Sequence, residues 1–281
     1  MPTLPPLARL AATRYVQPLR EGGSLPAVVD TDGGGLFVVK FRGAGQGARA
    51  LIAELIVGRL AQALGLPVPE LAIVELSAAF GRSEPDPEIQ DILRGSHGVN
   101  VGLRYLDSAF NFDAAAAGDL VPVELATALV WLDALITNPD RTHRNPNLLV
   151  WQRRLWLIDH GGALYAHHDW ASVDEARTRT SFPRIREHVL LDRAGDPAAV
   201  DPRLASRLDA EVIASVLAAV PDELLTDPVS CSEFATAGAA RARYRDYLLT
   251  RLRPPRDFVA EAVRAREQLR AQPPRPLSAR R

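Results

Sequence analysis

NPDRTHRNPNLLVWQRRLWLIDHG, residues 138–161, is the stretch from which the rest of the chain can be read. It follows an apolar helical run at 123–136 and opens with turn chemistry, Asn138-Pro139-Asp140 and then Arg144-Asn145-Pro146-Asn147. Two short β-like runs follow, 147–151 and 155–158, with the polar turn Gln152-Arg153-Arg154 between them, so the pattern predicts a hairpin. Three side chains lie at its edges: Asp140, Asn145 five residues on, and Asp159 after Leu155-Trp156-Leu157-Ile158. Aspartate and asparagine are also common in turns because they bond their own backbone, so a purely structural hairpin would carry such residues too.

Phosphoryl transfer needs an aspartate to accept a hydroxyl proton, an asparagine for one metal ion and a second aspartate for the other. The spacing Asp-x-x-x-x-Asn matches the protein-kinase catalytic loop, and Asp159-His160-Gly161 stands where kinases carry Asp-Phe-Gly. More specifically, Asp140-Arg141-Thr142-His143-Arg144-Asn145, preceded by Asn138 and followed by Asn147-Leu148-Leu149, resembles the catalytic loop of HipA-type kinases. Those are bacterial serine/threonine kinases of kinase-like fold, distantly similar to phosphatidylinositol kinases. His160 departs from the usual phenylalanine, at a position that packs rather than ligates. The chain also has no obvious counterpart to the long N-terminal region of full-length HipA toxins and encodes no helix-turn-helix partner.

Upstream, strand character at 13–19 and 27–30 leads into Thr31-Asp32-Gly33-Gly34-Gly35, residues that tolerate the positive φ of a hairpin turn. A β-branched and aromatic strand, 36–41, follows and contains Lys40. Lys40 is the only lysine among 33 basic residues, which suggests a position where a compact ammonium is needed rather than a planar guanidinium. Gly43-Ala44-Gly45-Gln46-Gly47 could approach a phosphate or simply start the next helix. That helix is predicted over 48–64, with Ile52, Leu55, Ile56, Leu60, Ala63 and Leu64 on one face, closed by Gly65 and Pro67. Glu54 lies off that stripe among small and apolar residues, and reads either as a solvated glutamate or as a partner for Lys40. Further strands are expected at 70–76 and 99–106, and a short helix at 87–94.

The resemblance implies roles for these residues. Lys40 would hold the α- and β-phosphates of ATP, Glu54 would orient Lys40, and Asn145 and Asp159 would ligate Mg²⁺. Asp140 would accept or orient the acceptor hydroxyl's proton, and the glycine turn at 31–35 would resemble the loop that covers the phosphates. The hinge would fall at 104–107, with Tyr105 and Leu106 against adenine. Arg141 or Arg144 could neutralise charge near the transferred group, or be loop-surface arginines. The acceptor is expected to be a protein serine or threonine; a small-molecule or lipid kinase and a nucleotide-binding pseudokinase scaffold are the alternatives.

Strands concentrated before residue 107 and helices after 120 argue for an α+β, two-lobed protein-kinase-like fold. The expected division is an N-lobe at 1–106, an antiparallel sheet with one main helix, and a mostly helical C-lobe at 107–253 carrying the catalytic hairpin. A C-terminal helix and tail complete it at 254–281, the last ten residues disordered. Helical patterns are read at 172–179, 202–220, 231–253 and 256–269. A hydrophobic content of 47% with 24% charged residues is that of a globular protein, and a net charge of −1 gives no general attraction to nucleic acid or anionic membrane. The single cysteine, Cys231, allows neither an internal disulfide nor a cysteine metal cluster. No signal sequence or membrane span is visible, so a cytoplasmic location is expected. His167-His168-Asp169 reads as a surface loop. The arginines around Tyr244 read as a solvated helix surface rather than a nucleic-acid site.

Overall fold

Alternation along 36–41 decides which way each side chain of that run points. In the computed structural model, which describes residues 4–19, 25–45, 47–82, 84–116 and 118–271, Phe37, Val39 and Phe41 are buried in one cluster. Val38 and Lys40 face a cleft on the opposite side. The run is β3 (Gly35–Lys40), paired antiparallel with β2 (Ala27–Thr31) on one side and β5 (Gly98–Arg104) on the other. Beyond them lie β1 (Ala8–Pro18) against β2, and β4 (Leu71–Leu76) against β5.

The sheet expected to be antiparallel throughout is corrected here. Strands β1 and β4 pair in parallel, from Ala8 opposite Ala72 to Ala11 opposite Glu75, and close a five-stranded barrel. The same ladder explains why β1 begins at Ala8 rather than at residue 13. Its first residues are ordered by a partner far along the chain, which no local pattern reveals. Closure leaves the sheet no unpaired edge.

The glycine turn also has a different place. It joins β2 to β3 at the end of β3 away from Lys40, where Gly35 lies against Arg104 and Gly33 against Leu10. The cleft is bordered instead by Pro18, Leu19 and Pro26 of the β1–β2 connection, whose residues 20–24 lie outside the described set. The second glycine cluster starts a helix: Gly47 has φ 64°, and the Ala48 N–H donates to Ser230 Oγ at 3.2 Å. Gln46 itself is not among the described residues.

Helix α1 (Ala48–Leu64) ends at Gly65 in the left-handed conformation, with Leu66 N–H bonded to Ala61 O at 2.9 Å. It is buried on nearly every face, wedged between β5 and the later helices α6 (Ala210–Ala218) and α7 (Asp222–Leu225). Each fully buried leucine or isoleucine there contributes about 1.5–3 kcal/mol. Helix α2 (Pro87–Arg94) is capped by Asp86. Helix α3 (Val123–Leu135) is likewise buried all round, with Trp131 packed edge-on against Phe258 and bonded to Asp201. The predicted hairpin is present as β7 (Leu148–Trp151) and β8 (Arg154–Leu157), joined by Gln152 and Arg153 at positive φ, with β6 (Phe110–Asn111) alongside β7.

After it come α4 (Glu175–Thr178), α5 (Pro197–Ala205), α8 (Ala237–Leu252) and α9 (Asp257–Ala271). The single run expected at 202–220 is two helices, because Asp209 caps the start of α6 by accepting the Val212 N–H. The run from 231 becomes helical only at Ala237, where Thr236 provides the cap. His167 is no surface residue: it is fully buried, its Nδ1 3.0 Å from the Tyr244 hydroxyl. Nor are Arg241 and Arg243 idle on a wet face, since they donate to backbone carbonyls of Leu217 and Val220 and of Trp170 and Val173. The expected disordered tail, 272–281, lies outside the described residues.

Arg49 ties α1 to the helical half of the chain. Its guanidinium donates to the carbonyls of Ser230 and His167 and pairs with Glu233. Replacing Arg49 with Met keeps the helix but leaves those carbonyls without their donor. We expect a loss of about 1–3 kcal/mol, read as a lower urea midpoint with an unchanged slope.

Candidate active site

Lys40 ends β3 on its cleft-facing side, and the strand delivers its ammonium to two carboxylates. Nζ lies 2.6 Å from Glu54 Oε2 and 2.6 Å from Asp159 Oδ1. Glu54, on α1, is completely buried, and the same Oε2 accepts the backbone N–H of His160 at 2.8 Å. Of the two readings of Glu54, the partner of Lys40 is the one that holds. Burial by itself would lower the Lys40 pKa, but Glu54 and Asp159 together raise it above its ordinary value. Burial would push the Asp159 carboxyl up, and Lys40 instead holds it below the usual range. Both groups are therefore charged at neutral pH. Asp159 has φ 55°, a left-handed state that aspartate tolerates better than most residues.

Asp140 lies in a loop folded on itself, bonded to the cleft-lining Asn145. Its Oδ1 accepts Asn145 Nδ2 at 2.9 Å, and its N–H donates to Asn138 Oδ1 at 3.0 Å. Asn147 Nδ2 donates to the Asp140 carbonyl at 2.8 Å and reaches its Oδ2 at 3.4 Å. Thr142 N–H closes the loop on the Asn145 carbonyl at 2.9 Å. Gly162 runs beside this loop, where a methyl group would be in ordinary contact with Asp140 Cβ at 3.4 Å.

Behind this loop is a buried polar network. Asp133, in the last turn of α3, is wholly buried; its Oδ2 accepts Arg141 Nε at 2.6 Å and lies 2.9 Å from His188 Nε2. Its Oδ1 accepts Asn138 Nδ2 at 2.9 Å. Arg141 also donates to the Asn147 carbonyl and stands 3.2 Å from His160 Nδ1. Burial would raise the Asp133 carboxyl, but Arg141, His188 and Asn138 hold it well below the usual range. At 1% exposure Arg141 cannot reach a transferred group, so that suggested role is withdrawn. Arg144 is exposed and lines the cleft. Sequence reasoning missed Asp133. The available signal was an acid in the last turn of an apolar helix, where the helix dipole disfavours it unless a cation is nearby.

The cleft itself has a volume of about 800 Å³, within the range of small-ligand sites. Val38, Leu103, Leu106, Leu148 and Ile158 give it an apolar lining, and Lys40, Asn145 and Asp159 add polar groups. Tyr105 also lines it, its backbone N–H bonded to Leu36 O at 2.9 Å.

Burial lowers the His160 pKa to about 4, against the opposing pull of Glu54. The ring is neutral, and its Nε2 has no hydrogen-bond partner. Between about pH 4 and the unfolded value near 6.5, the unfolded chain binds a proton that the native chain refuses. Stability therefore rises with pH across that window and is lost on acidification, by up to about 3 kcal/mol from this residue. His160→Gln, which keeps an acceptor for Arg141, should flatten the dependence in urea titrations run from about pH 6.5 down to 4.

Comparison with known proteins gives a family and a fold. The family described as HipA-like kinase matches residues 13–235. Among solved structures, the proinflammatory kinase CtkA of Helicobacter pylori is similar, with a TM-score of 0.53 at 12% identity. The alignment covers 95% of this chain and 100% of that one, and at such identity the likeness is one of fold. Curated protein sequences give no match. The family match takes in most of the barrel, α1, the catalytic hairpin and the helices up to α7, and the chain is a member of the HipA-like kinase family.

Proposed function

We propose that this kinase transfers the γ-phosphate of ATP to a serine or threonine hydroxyl of a protein. The observation that carries the reading is the cleft-lining ammonium of Lys40 held 2.6 Å from both Glu54 and Asp159. In this reading adenine lies against Tyr105 and Leu106, and Lys40 meets the α- and β-phosphates while Glu54 fixes its stem. Asp140 accepts the hydroxyl proton as the oxygen attacks the γ-phosphorus. The bond to the β-phosphate oxygen breaks, and ADP leaves with the electron pair. Arg144, on the cleft wall, faces the charge that is transferred.

The donor set suits Mg²⁺. Asn145 gives its amide nitrogen to Asp140, which leaves the amide oxygen for a cation, and Asp159 adds a cleft-lining carboxylate. Hard oxygen ligands in small number, completed by phosphates and water, are what Mg²⁺ takes. Asn145 and Asp159 would hold the ion, and when bound it offsets phosphate charge. The proposed division of the chain follows the site: an N-lobe at 1–106 supplies Lys40 and Glu54, and a C-lobe at 107–253 supplies Asp140, Asn145 and Asp159.

Labelled ATP, Mg²⁺ and a cell lysate should place label in protein, on serine or threonine. Label confined to lipid or small molecules would move the acceptor class, and no transfer at all would make the chain a nucleotide-binding scaffold. Two variants separate the roles. Asp140→Asn should keep its affinity for Mg-ATP in calorimetry and lose transfer by about 10²-fold or more. Asp159→Asn should lose both Mg²⁺-dependent binding and turnover, and an unchanged affinity would remove Asp159 from the metal site.

Lys40→Arg preserves charge and removes no core volume, so the fold should persist. A guanidinium is bulkier and planar, and it cannot keep the geometry that a compact ammonium makes with two carboxylates at 2.6 Å. A displacement of about 1 Å at the reacting group costs roughly 10²-fold in rate. We expect a cooperative melt with turnover lowered to that extent, and near-normal turnover would exclude Lys40 from the phosphate site.

A further inference from the structure

A second cavity, of about 640 Å³, lies between the segment from Leu4 to Arg9, α1 and the turn from α6 into α7. Leu4, Leu7, Ile73 and Val220 give it apolar walls; Arg9, Arg59, Arg241, Asp222 and Glu223 give it charge. Two of the three arginines are paired. Arg241 Nη2 is 2.5 Å from Asp222, and Arg9 is shared between Glu75 at 2.9 Å and Glu223 at 3.4 Å.

Arg59 is different. It is 2% exposed, and its Nη1 donates to Gln62 Oε1 at 3.0 Å. Its Nε has no hydrogen-bond partner, and among the described residues no carboxylate pairs with it. Burial pushes its pKa down with no opposing negative charge to offset the shift. A guanidinium still keeps its proton at neutral pH, so the wall of this cavity carries a desolvated cation without a counter-ion. A leucine or methionine would fill the same space without that cost.

We propose that this cavity binds a small organic monoanion, a carboxylate on an apolar body, with Arg59 as its counter-ion. Arg9 is engaged by Glu75 and Glu223 and Arg241 by Asp222, so among the described residues Arg59 is the wall arginine with no acid against it, a single charge for a single counter-charge. A doubly charged phosphate would face Asp222 and Glu223 with one charge uncompensated, and it has no apolar part to set against the leucine, isoleucine and valine walls. Arg59 lies five residues beyond Glu54, roughly 140° round α1, so the ligand would touch this helix on the side away from Lys40. The inference does not depend on the phosphoryl-transfer reading.

Thermal melts with sodium hexanoate test it, with inorganic phosphate at equal ionic strength as the comparison. Hexanoate should raise the wild-type melting temperature by about 5 °C when present at roughly 100 times its Kd, and phosphate should not. Arg59→Met should melt no lower than wild type without hexanoate, because it removes an uncompensated charge, and should show no hexanoate shift. If Arg59→Met does not fold, Arg59→Gln carries the same comparison. No hexanoate shift in the wild type, or an equal shift in the Arg59 variant, overturns the site. A phosphate shift as large as that of hexanoate overturns the class of ligand.

Discussion

One oxygen atom, Oε2 of Glu54, holds the catalytic region together. It has no access to water, and a carboxylate so placed is tolerable only if donors replace the lost hydration. Those donors are the Lys40 ammonium from β3 and the His160 N–H from the segment after β8, at 2.6 and 2.8 Å. Barrel, helix and hairpin thus meet at a single acceptor. Removing Lys40 would strand the Glu54 charge in a dry interior, a cost of about 3–5 kcal/mol for buried pairs, whereas Lys40 without Glu54 would still hold Asp159. For this reason the stability of the fold and the assembly of the site are governed by the same contacts.

The contents of the site were legible in the sequence to a large extent. Helix α1 falls at 48–64 as its apolar spacing and its Gly65 stop predict. The hairpin lies where the turn residues put it, Asn145 and Asp159 line one cleft together with Lys40, and Asp140 is bonded to Asn145. These features come from local rules: periodicity, turn chemistry, and a carboxylate on a small-residue helix face that has to have a cation to meet.

What escaped the sequence reading is what depends on distant partners. Barrel closure rests on pairing between the first and fourth strands. The glycines of 31–35 look the same whether their turn faces a ligand or lies at the far end of the barrel. Arg141, read either as an arginine near the transferred group or as a loop-surface one, is neither, because its partners, Asp133 and the Asn147 carbonyl, are apparent only once α3 and the loop are packed. His167 misled in the same way: adjacent histidines look like surface, and only α8 brings the Tyr244 hydroxyl to one of them. The buried polar network behind the catalytic loop was invisible for the same reason that it is effective, since its members lie on elements that meet only in the folded core.

The parallel ladder between β1 and β4 also bears on how the molecule reaches its structure. Ala8 has no partner until Ala72 has been made, and β5, which separates β3 from β4, comes later still. A nascent chain therefore carries a β1–β2–β3 meander with two open edges until residue 104 is available to fill the gap. Contacts of such long sequence separation slow folding, and unpaired edges in the interval are templates for pairing with other chains. The arrangement that leaves the finished barrel without an edge leaves its half-built form with two.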